Sequence, residues 1–128
     1  MNDRDRDRFD ELVDHAIGTL PPRYAALLDE IPVIVLDLPT PEMLADLAMR
    51  PDEATNLCGL HTGVAFTERS IEVDGTLPTQ VHLFREGILA AAGGWRGRLA
   101  EEIRITLLHE LGHQMGLEED DLDDLGYA

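Results

Sequence analysis

One stretch near the C-terminal end constrains this chain more than any other. From Leu99 onward the apolar side chains recur at steps of three and four residues, the period of an amphipathic α-helix. These apolar positions are Leu99, Ile103, Leu107, Leu108, Leu111 and Met115. A neighbouring polar stripe contains Glu102, Thr106, His109 and His113. The sequence therefore predicts a helix over about residues 96–115 that buries one face and presents both histidines on another.

The spacing of these two histidines suits a metal ion. Residues 109–113 read His-Glu-Leu-Gly-His, and on a helix two residues four apart lie about 5–6 Å from each other at Cβ. Glu110 then lies beside the bound ion, where it can act as a general base on a metal-bound water. The sequence predicts one zinc ion per chain, bound by His109 and His113, with Glu110 as the catalytic base. The alternative is a pair of exposed helix histidines that bind no metal.

Gly116 predicts that the helix stops just after the motif, because glycine adopts the left-handed cap conformation at little cost. In a continuous helix Glu119 would lie about 9 Å further along the axis than His113, at roughly 1.5 Å per residue. A zinc ligand must lie about 2 Å from the metal. A sharp turn at Gly116 can bring an acidic side chain back to the ion. Two histidines and one carboxylate leave a fourth position for water, as in a catalytic zinc site.

Composition narrows the class of protein. The net charge of −16 argues against nucleic acid and anionic membranes as partners. A length of 128 residues suits a single domain over 1–128 with one modest core. No apolar run approaches the ~18 residues of a membrane span, and the N-terminus lacks the apolar stretch of a signal peptide. Cys58 is the only cysteine, and it is interpreted as a small buried hydrophobic residue rather than a metal ligand. These features predict a cytoplasmic protein.

Patterns upstream of the motif predict an α+β fold. The alternating charges of residues 1–8 predict a frayed lead-in. Helices are predicted over about 8–19, 22–28, 41–49, 88–92 and 119–125, with a loop over 51–56. Strands are predicted over about 32–38, which should be buried, and over 58–66 and 79–84. The expected architecture is a small twisted sheet packed on the motif helix. An extended peptide could pair with an edge of this sheet, for which 58–66 and 79–84 are the candidates.

The motif and several other stretches together resemble the zincin metallopeptidases. More narrowly, the chain resembles a small bacterial zincin-like metallopeptidase family in which the zinc helix lies close to the C-terminus. The matching stretches are Phe9-Asp10-Glu11-Leu12-Val13, Leu20-Pro21-Pro22, the residues from Leu57 to Gly63, His82-Leu83-Phe84-Arg85, and Thr106 onward. The resemblance implies a minimal zincin-like fold, zinc ligands at His109 and His113, Glu110 as the base, and a peptide or unfolded protein segment as substrate.

The resemblance also bears on the third zinc ligand. Metzincins carry a histidine at the position of Glu119, whereas the small family more often has an acid or a serine there. Glu119 is therefore the first candidate, with Glu118 and Asp120 as rivals. The alternative role for these acids is to favour the N-terminus of a tail helix.

This chain departs from the metzincins in one respect that matters for catalysis. No methionine follows the motif, so the Met-turn is absent. Peptide hydrolysis also needs a donor for the developing oxyanion. The candidates for this donor are Tyr127, His61 and His82, each of which could instead be a surface or packing residue.

Three functions fit these observations. The first is zinc-dependent hydrolysis of peptide bonds. The second is a zinc-binding regulatory or interaction module with little or no turnover, and the third is hydrolysis of a non-peptide amide or ester. Glu110 favours an enzyme, because a structural zinc site needs no base and is usually closed by four protein ligands.

Overall fold

The computed structural model describes residues 1–62 and 80–114, and within them the fold is a mixed α+β arrangement, as predicted. The α-helices are α1 (Asp3–Gly18), α2 (Pro22–Ala25), α3 (Pro41–Asp46), α4 (Arg85–Ala92) and α5 (Leu99–Gln114). Two 3-10 helices cover Ala26–Asp29 and Pro51–Asn56, and the strands are β1 (Val33–Leu36), β2 (Gly59–Thr62) and β3 (Gln80–Phe84). The helix predicted over 119–125 lies outside the described residues. None of the described helices has both the length and the apolar character needed to cross a bilayer.

The three described strands form one mixed sheet in the order β1-β3-β2. β3 runs parallel to β1, with Val81 opposite Val33, and antiparallel to β2, with Val81 opposite His61. Because successive side chains of a strand point to opposite faces, Val81 and His61 share the face that packs on α5, and His82 lies on the other face. The prediction that 79–84 could be a peptide-binding edge is wrong, because β3 lies between two strands. β2 borders the sheet in the described part of the chain.

α5 provides the centre of the hydrophobic core. The predicted apolar stripe is buried at Leu99, Ile103, Leu107, Leu108 and Leu111, whereas Met115 lies outside the described residues. These side chains pack with others from α1, from the turn that follows it and from β3, including Phe9, Val13, Leu20, Val81 and Leu83. Each such burial contributes about 1.5–3 kcal/mol relative to an exposed side chain. The packing fixes the orientation of α5, and with it the direction in which its polar stripe points.

The N-terminal segment corrects the prediction of a frayed lead-in over residues 1–8, because α1 begins at Asp3. Asn2 caps this helix: its Oδ1 accepts a hydrogen bond from the backbone N–H of Asp5 at 2.8 Å. Asp3 and Asp5 lie in the first turn, where the helix dipole favours carboxylates. Arg6 in turn donates from Nη2 to Oδ2 of Asp37 at 2.8 Å. Asn2 therefore supplies the cap, and Arg6 supplies a tertiary ion pair.

Several other elements occupy their predicted positions with different ends. The helix predicted over 41–49 ends at Asp46, because Ala48 adopts a left-handed φ of 55° and the N–H of Met49 turns back to the carbonyl of Leu44 at 2.9 Å. The predicted loop over 51–56 is a 3-10 helix. The helix predicted over 88–92 already begins at Arg85.

The structure also corrects the predicted burial of β1 and the predicted start of the motif helix. β1 is half-buried rather than buried, because β3 is its only neighbour in the described sheet. The motif helix begins at Leu99 rather than near residue 96. Its start is delayed by a turn in which the N–H of Gly97 bonds the carbonyl of Gly94 and the N–H of Arg98 bonds that of Ala92.

Candidate metal centre

The two motif histidines lie one turn apart on α5, and their rings converge. The Nε2 atoms of His109 and His113 are 3.0 Å apart. The rings meet edge to face, with centroids separated by 4.6 Å. Two Zn–N bonds of about 2.0–2.1 Å at the tetrahedral angle separate their nitrogens by about 3.3 Å. The observed separation is close to the spacing that one shared ion requires.

Glu110 completes a three-residue cluster at this point of the helix. The possible ligand atoms of His109, Glu110 and His113 all lie within 4.8 Å of one another. Glu110 is only 6% exposed, whereas both histidines are half-buried. Imidazole nitrogens and carboxylate oxygens are donors that zinc takes in proteins. The cluster therefore fits a zinc ion, with the carboxylate either bound to the ion or standing beside it.

Strand β2 lies directly against the helix at the position of this carboxylate. A Cβ atom on Gly59 would lie 2.8 Å from Cγ2 of Thr106 and 3.1 Å from Cγ of Glu110. The residues before the strand are held equally closely, since a Cβ on Gly87 of α4 would lie 1.9 Å from the carbonyl oxygen of Leu57. Real Cβ contacts are longer than this. Glycine at position 59 therefore permits the close approach of β2 to α5, and glycine at position 87 permits the close approach of α4 to the segment before β2.

His61, two residues after Gly59, reaches the cluster from the same face of β2. Its Nδ1 lies 3.3 Å from Oε1 of Glu110. Its ring stacks on that of His113, with centroids 5.0 Å apart and an angle of 24° between the planes. The sequence indicates His61 only as a candidate oxyanion donor and does not reveal its contact with Glu110. Strand alternation could have placed Gly59 and His61 on one face, but it does not indicate which face meets the helix.

Of the other two candidates for an oxyanion donor, His82 lies within the described residues but away from the cluster. His82 lies on the face of β3 opposite to His61 and is 5% exposed. Its Nδ1 has no hydrogen-bond partner within the described ranges, and burial lowers the pKa of its imidazole. Tyr127 lies outside the described residues.

A cavity of about 440 Å³ opens beside the cluster. Its walls come from the start of β2 and from α5, with Leu57, Cys58, Ile105 and Thr106 next to the histidines and Glu110. Outside the cluster the lining includes the apolar side chains of Leu57, Cys58 and Ile105. The cavity can therefore receive an apolar group of modest size next to the candidate metal position.

Cys58 contributes to this cavity and does not belong to the cluster of possible ligand atoms found in the described residues. Its side chain is half-buried and packs against the core, and its Sγ lies 3.5 Å from the carbonyl oxygen of Gly87. Burial raises the pKa of the Cys58 thiol, and the charges of Glu102 and Glu110 raise it further. A thiol with a raised pKa is a poor metal ligand.

The predicted third ligand lies beyond the end of the described part of α5. Glu118, Glu119 and Asp120 fall outside the described residues, as does Gly116. The assignment of Glu119 therefore stays a prediction from the sequence.

The fold and the site together define a class: a small α+β protein with a candidate single-metal centre on a helix, set beside a strand that borders the described part of the sheet. Comparison with known proteins specifies the family. The sequence model of the zincin-like metallopeptidase family matches residues 28–127, which is well over half of the chain. The chain belongs to this family, as the resemblance predicted.

Two further results qualify this match. A search of curated proteins finds no match to the chain. The matched residues begin after α1 and α2, so the stretches Phe9–Val13 and Leu20–Pro22 contribute nothing to the match. α1 nevertheless packs on α5, because Phe9 and Val13 are part of the same core.

Proposed function

We propose that this protein is a zinc-dependent peptidase in which His109 and His113 bind the ion and Glu110 is the general base. The observation that carries the proposal is the convergence of two imidazoles and a buried carboxylate within 4.8 Å. Membership of a metallopeptidase family supports the reaction class. The His-Glu-x-x-His spacing supports the separate roles of the three residues.

The chemistry is divided between the ion and Glu110. A zinc ion in this position would polarise the scissile carbonyl and lower the pKa of a bound water. Glu110 takes a proton from the attacking water and passes it to the leaving amine. Its burial at 6% exposure keeps the carboxylate in one place and limits competition from bulk water. The two histidines would hold the ion, since their Nε2 atoms lie 3.0 Å apart.

The substrate is proposed to be an extended peptide or an unfolded protein segment. β2 borders the described sheet and passes directly over Glu110 at Gly59, so a peptide that added to this strand would carry its backbone past the base. The cavity beside His109, with Leu57 and Ile105 in its walls, would accept a small or medium apolar side chain.

Glu119 is the proposed third ligand, with Glu118 and Asp120 as the alternatives. The proposal rests on Gly116, because a turn there can return an acid to the metal. Two imidazoles and one carboxylate would leave a position open for water. The candidate donors for the oxyanion are Tyr127 and His61.

The decisive experiment compares zinc-loaded wild type with Glu110→Gln on a broad peptide library. The substitution keeps the shape of the side chain and removes its basicity. Zinc should stay bound while hydrolysis falls by about 10²–10⁴, the usual contribution of a general base. Glu102→Gln is the matched control, because Glu102 is a half-buried acid on the same helix outside the cluster.

Two outcomes would contradict the proposal. Full activity in Glu110→Gln that is lost with a chelator would mean that another group is the base. Absence of cleavage by wild type with verified zinc would favour the second function, a regulatory or interaction module.

A further inference from the structure

We infer that His61 is a positioning residue for Glu110: its Nδ1–H donates a hydrogen bond to Oε1 and holds the carboxylate in the orientation that the base requires. This inference rests on the proposed role of Glu110. It assigns a function to a residue of β2 that lies outside the His-Glu-x-x-His segment.

The contact itself is specific. Nδ1 of His61 lies 3.3 Å from Oε1 of Glu110, and His61 is the side-chain hydrogen-bond partner that Glu110 has among residues 1–62 and 80–114. An ionised carboxylate has only acceptor atoms, so the proton of this bond must be on Nδ1 of His61. The side chain of Glu110 is 9% exposed, and a hydrogen bond is stronger where water is largely excluded.

The ring of His61 is itself held in place, so it can transmit an orientation. Its backbone is paired in β2 opposite Val81 of β3. Its ring stacks on His113, with centroids 5.0 Å apart. Gly59 on the same face brings the strand within contact of Thr106 and Glu110. The imidazole therefore couples the strand to the base across a fixed distance.

The hydrogen bond gives the two carboxylate oxygens of Glu110 different roles. The bond to His61 occupies Oε1 and leaves Oε2 to accept a proton. Without this bond the carboxylate could rotate about its last torsion, which has broad minima. His61 does not belong to the cluster of possible ligand atoms in the described residues, so it acts through Glu110 rather than on the metal.

The first test reads the hydrogen bond directly in zinc-free protein and needs no activity. Nitrogen-15 spectra of histidine-labelled protein, recorded about two pH units above the ordinary histidine pKa of ~6.5, report which ring nitrogen carries the proton. The tautomer of a neutral imidazole follows the hydrogen bond that its other nitrogen makes. We expect His61 to be protonated at Nδ1 in wild type and to lose this preference in Glu110→Ala. Protonation at Nε2 in wild type, or a tautomer unchanged by Glu110→Ala, overturns the inference.

The second test separates positioning from structure through matched variants. In His61→Asn the amide nitrogen lies near the position of Nδ1, whereas in His61→Leu no donor remains. With zinc bound at wild-type levels, His61→Leu should lower kcat about 10–100-fold with little change in KM, and His61→Asn should recover most of this loss. If Leu destabilises the fold, His61→Gln replaces it, because its amide nitrogen lies nearer to the position of Nε2.

The outcomes of the two tests are distinguishable from failure of the proposed function. Equal kcat in the Asn and Leu variants, or an equal loss of zinc in both, overturns the positioning role. If wild type cleaves no peptide, the peptidase proposal fails and the tautomer measurement alone decides whether His61 orients Glu110.

Discussion

Gly59 of β2 lies so close to Thr106 of α5 that a Cβ atom on the glycine would come within 2.8 Å of Cγ2 of the threonine. This approach sets the spacing between the strand and the helix next to the candidate metal centre. The spacing in turn allows His61, on the same face of β2, to reach Glu110 at 3.3 Å. The packing of one glycine therefore governs the geometry of the proposed base.

The first prediction follows from this contact. Gly59→Ala should lower the free energy of unfolding by about 1–3 kcal/mol, because the added methyl group must displace α5 or β2 in a packed core. Chemical denaturation measures the change. Gly18→Ala is the control, since nothing lies within 4 Å of a Cβ at that position. A loss of similar size in both variants would show that the close approach at Gly59 does not limit stability.

The second prediction concerns the metal. Wild type should retain one zinc ion per chain after mild exposure to a chelator, and His109→Ala and His113→Ala should each lose it, because removal of one imidazole leaves too few ligands. Elemental analysis of dialysed protein measures the content. His15→Ala should keep wild-type zinc, since His15 is exposed on α1. Equal zinc in wild type and His113→Ala would refute the site.

The third prediction tests the ligand proposed from the sequence. Glu119→Ala should weaken zinc affinity far more than Glu118→Ala, because only the ligating carboxylate contributes a bond to the ion. Competition with a chromophoric chelator measures both affinities. Similar affinities in the two variants would remove Glu119 from the coordination sphere and leave Asp120 or water.

The parts of this molecule that could be predicted are those with a local signal. The helical period of α5 and the four-residue spacing of its histidines are both readable over a few turns of one helix. The strands predicted over about 32–38 and 79–84 contain β1 and β3, because β-branched and alternating residues mark them. Such patterns depend only on neighbours in sequence.

The parts that escaped prediction depend on distant pairs. Arg6 bonds Asp37 across 31 residues and Arg85 bonds Asp10 across 75, and no local pattern encodes either contact. The central place of β3 requires parallel pairing with β1, which the periodicity of each strand leaves undetermined. The contact of His61 with Glu110 depends on this strand order. From the sequence, only His109, Glu110 and His113, which share α5, could therefore be predicted to form one site.

The fourth prediction concerns the buried imidazole of His82. Burial lowers the pKa of His82 in the folded protein. When the pH falls below about 6.5, the imidazole therefore takes up a proton in the unfolded chain before it does so in the folded chain. This contribution to stability is present above that pH and is lost as the pH falls toward the folded-state pKa. His82→Leu should reduce the loss of Tm between about pH 7 and pH 5, because it removes the titrating group and a nitrogen without a partner in the described residues. His15→Leu, on an exposed site, should leave the loss unchanged.

The last prediction concerns the ion pairs that join α1 to α4. The Asp37 carboxylate accepts hydrogen bonds from Nη2 of Arg6 at 2.8 Å and from Nη1 of Arg85 at 2.9 Å. The Arg6 guanidinium, followed by that of Arg85, holds the pKa of Asp37 below its ordinary value, against the opposing effect of burial. Because the folded-state pKa is the lower one, the stabilisation is present above the unfolded value of about 3.9 and is lost as the pH falls through the folded-state pKa.

Asp37→Asn should therefore lower the free energy of unfolding at neutral pH by about 1.5–3 kcal/mol, the range for hydrogen bonds to charged groups. It should also flatten the acid limb of the stability curve below about pH 4, which urea unfolding at a series of pH values would measure. In this variant Arg85, whose side chain is 10% exposed, keeps its hydrogen bonds to Asp10. The loss of stability should therefore be smaller than the loss caused by leaving a buried charge without any partner. Asp52→Asn breaks the exposed pair with Arg50 and should change neither quantity measurably. An acid limb that is the same in Asp37→Asn and wild type would show that other carboxylates control the acid unfolding.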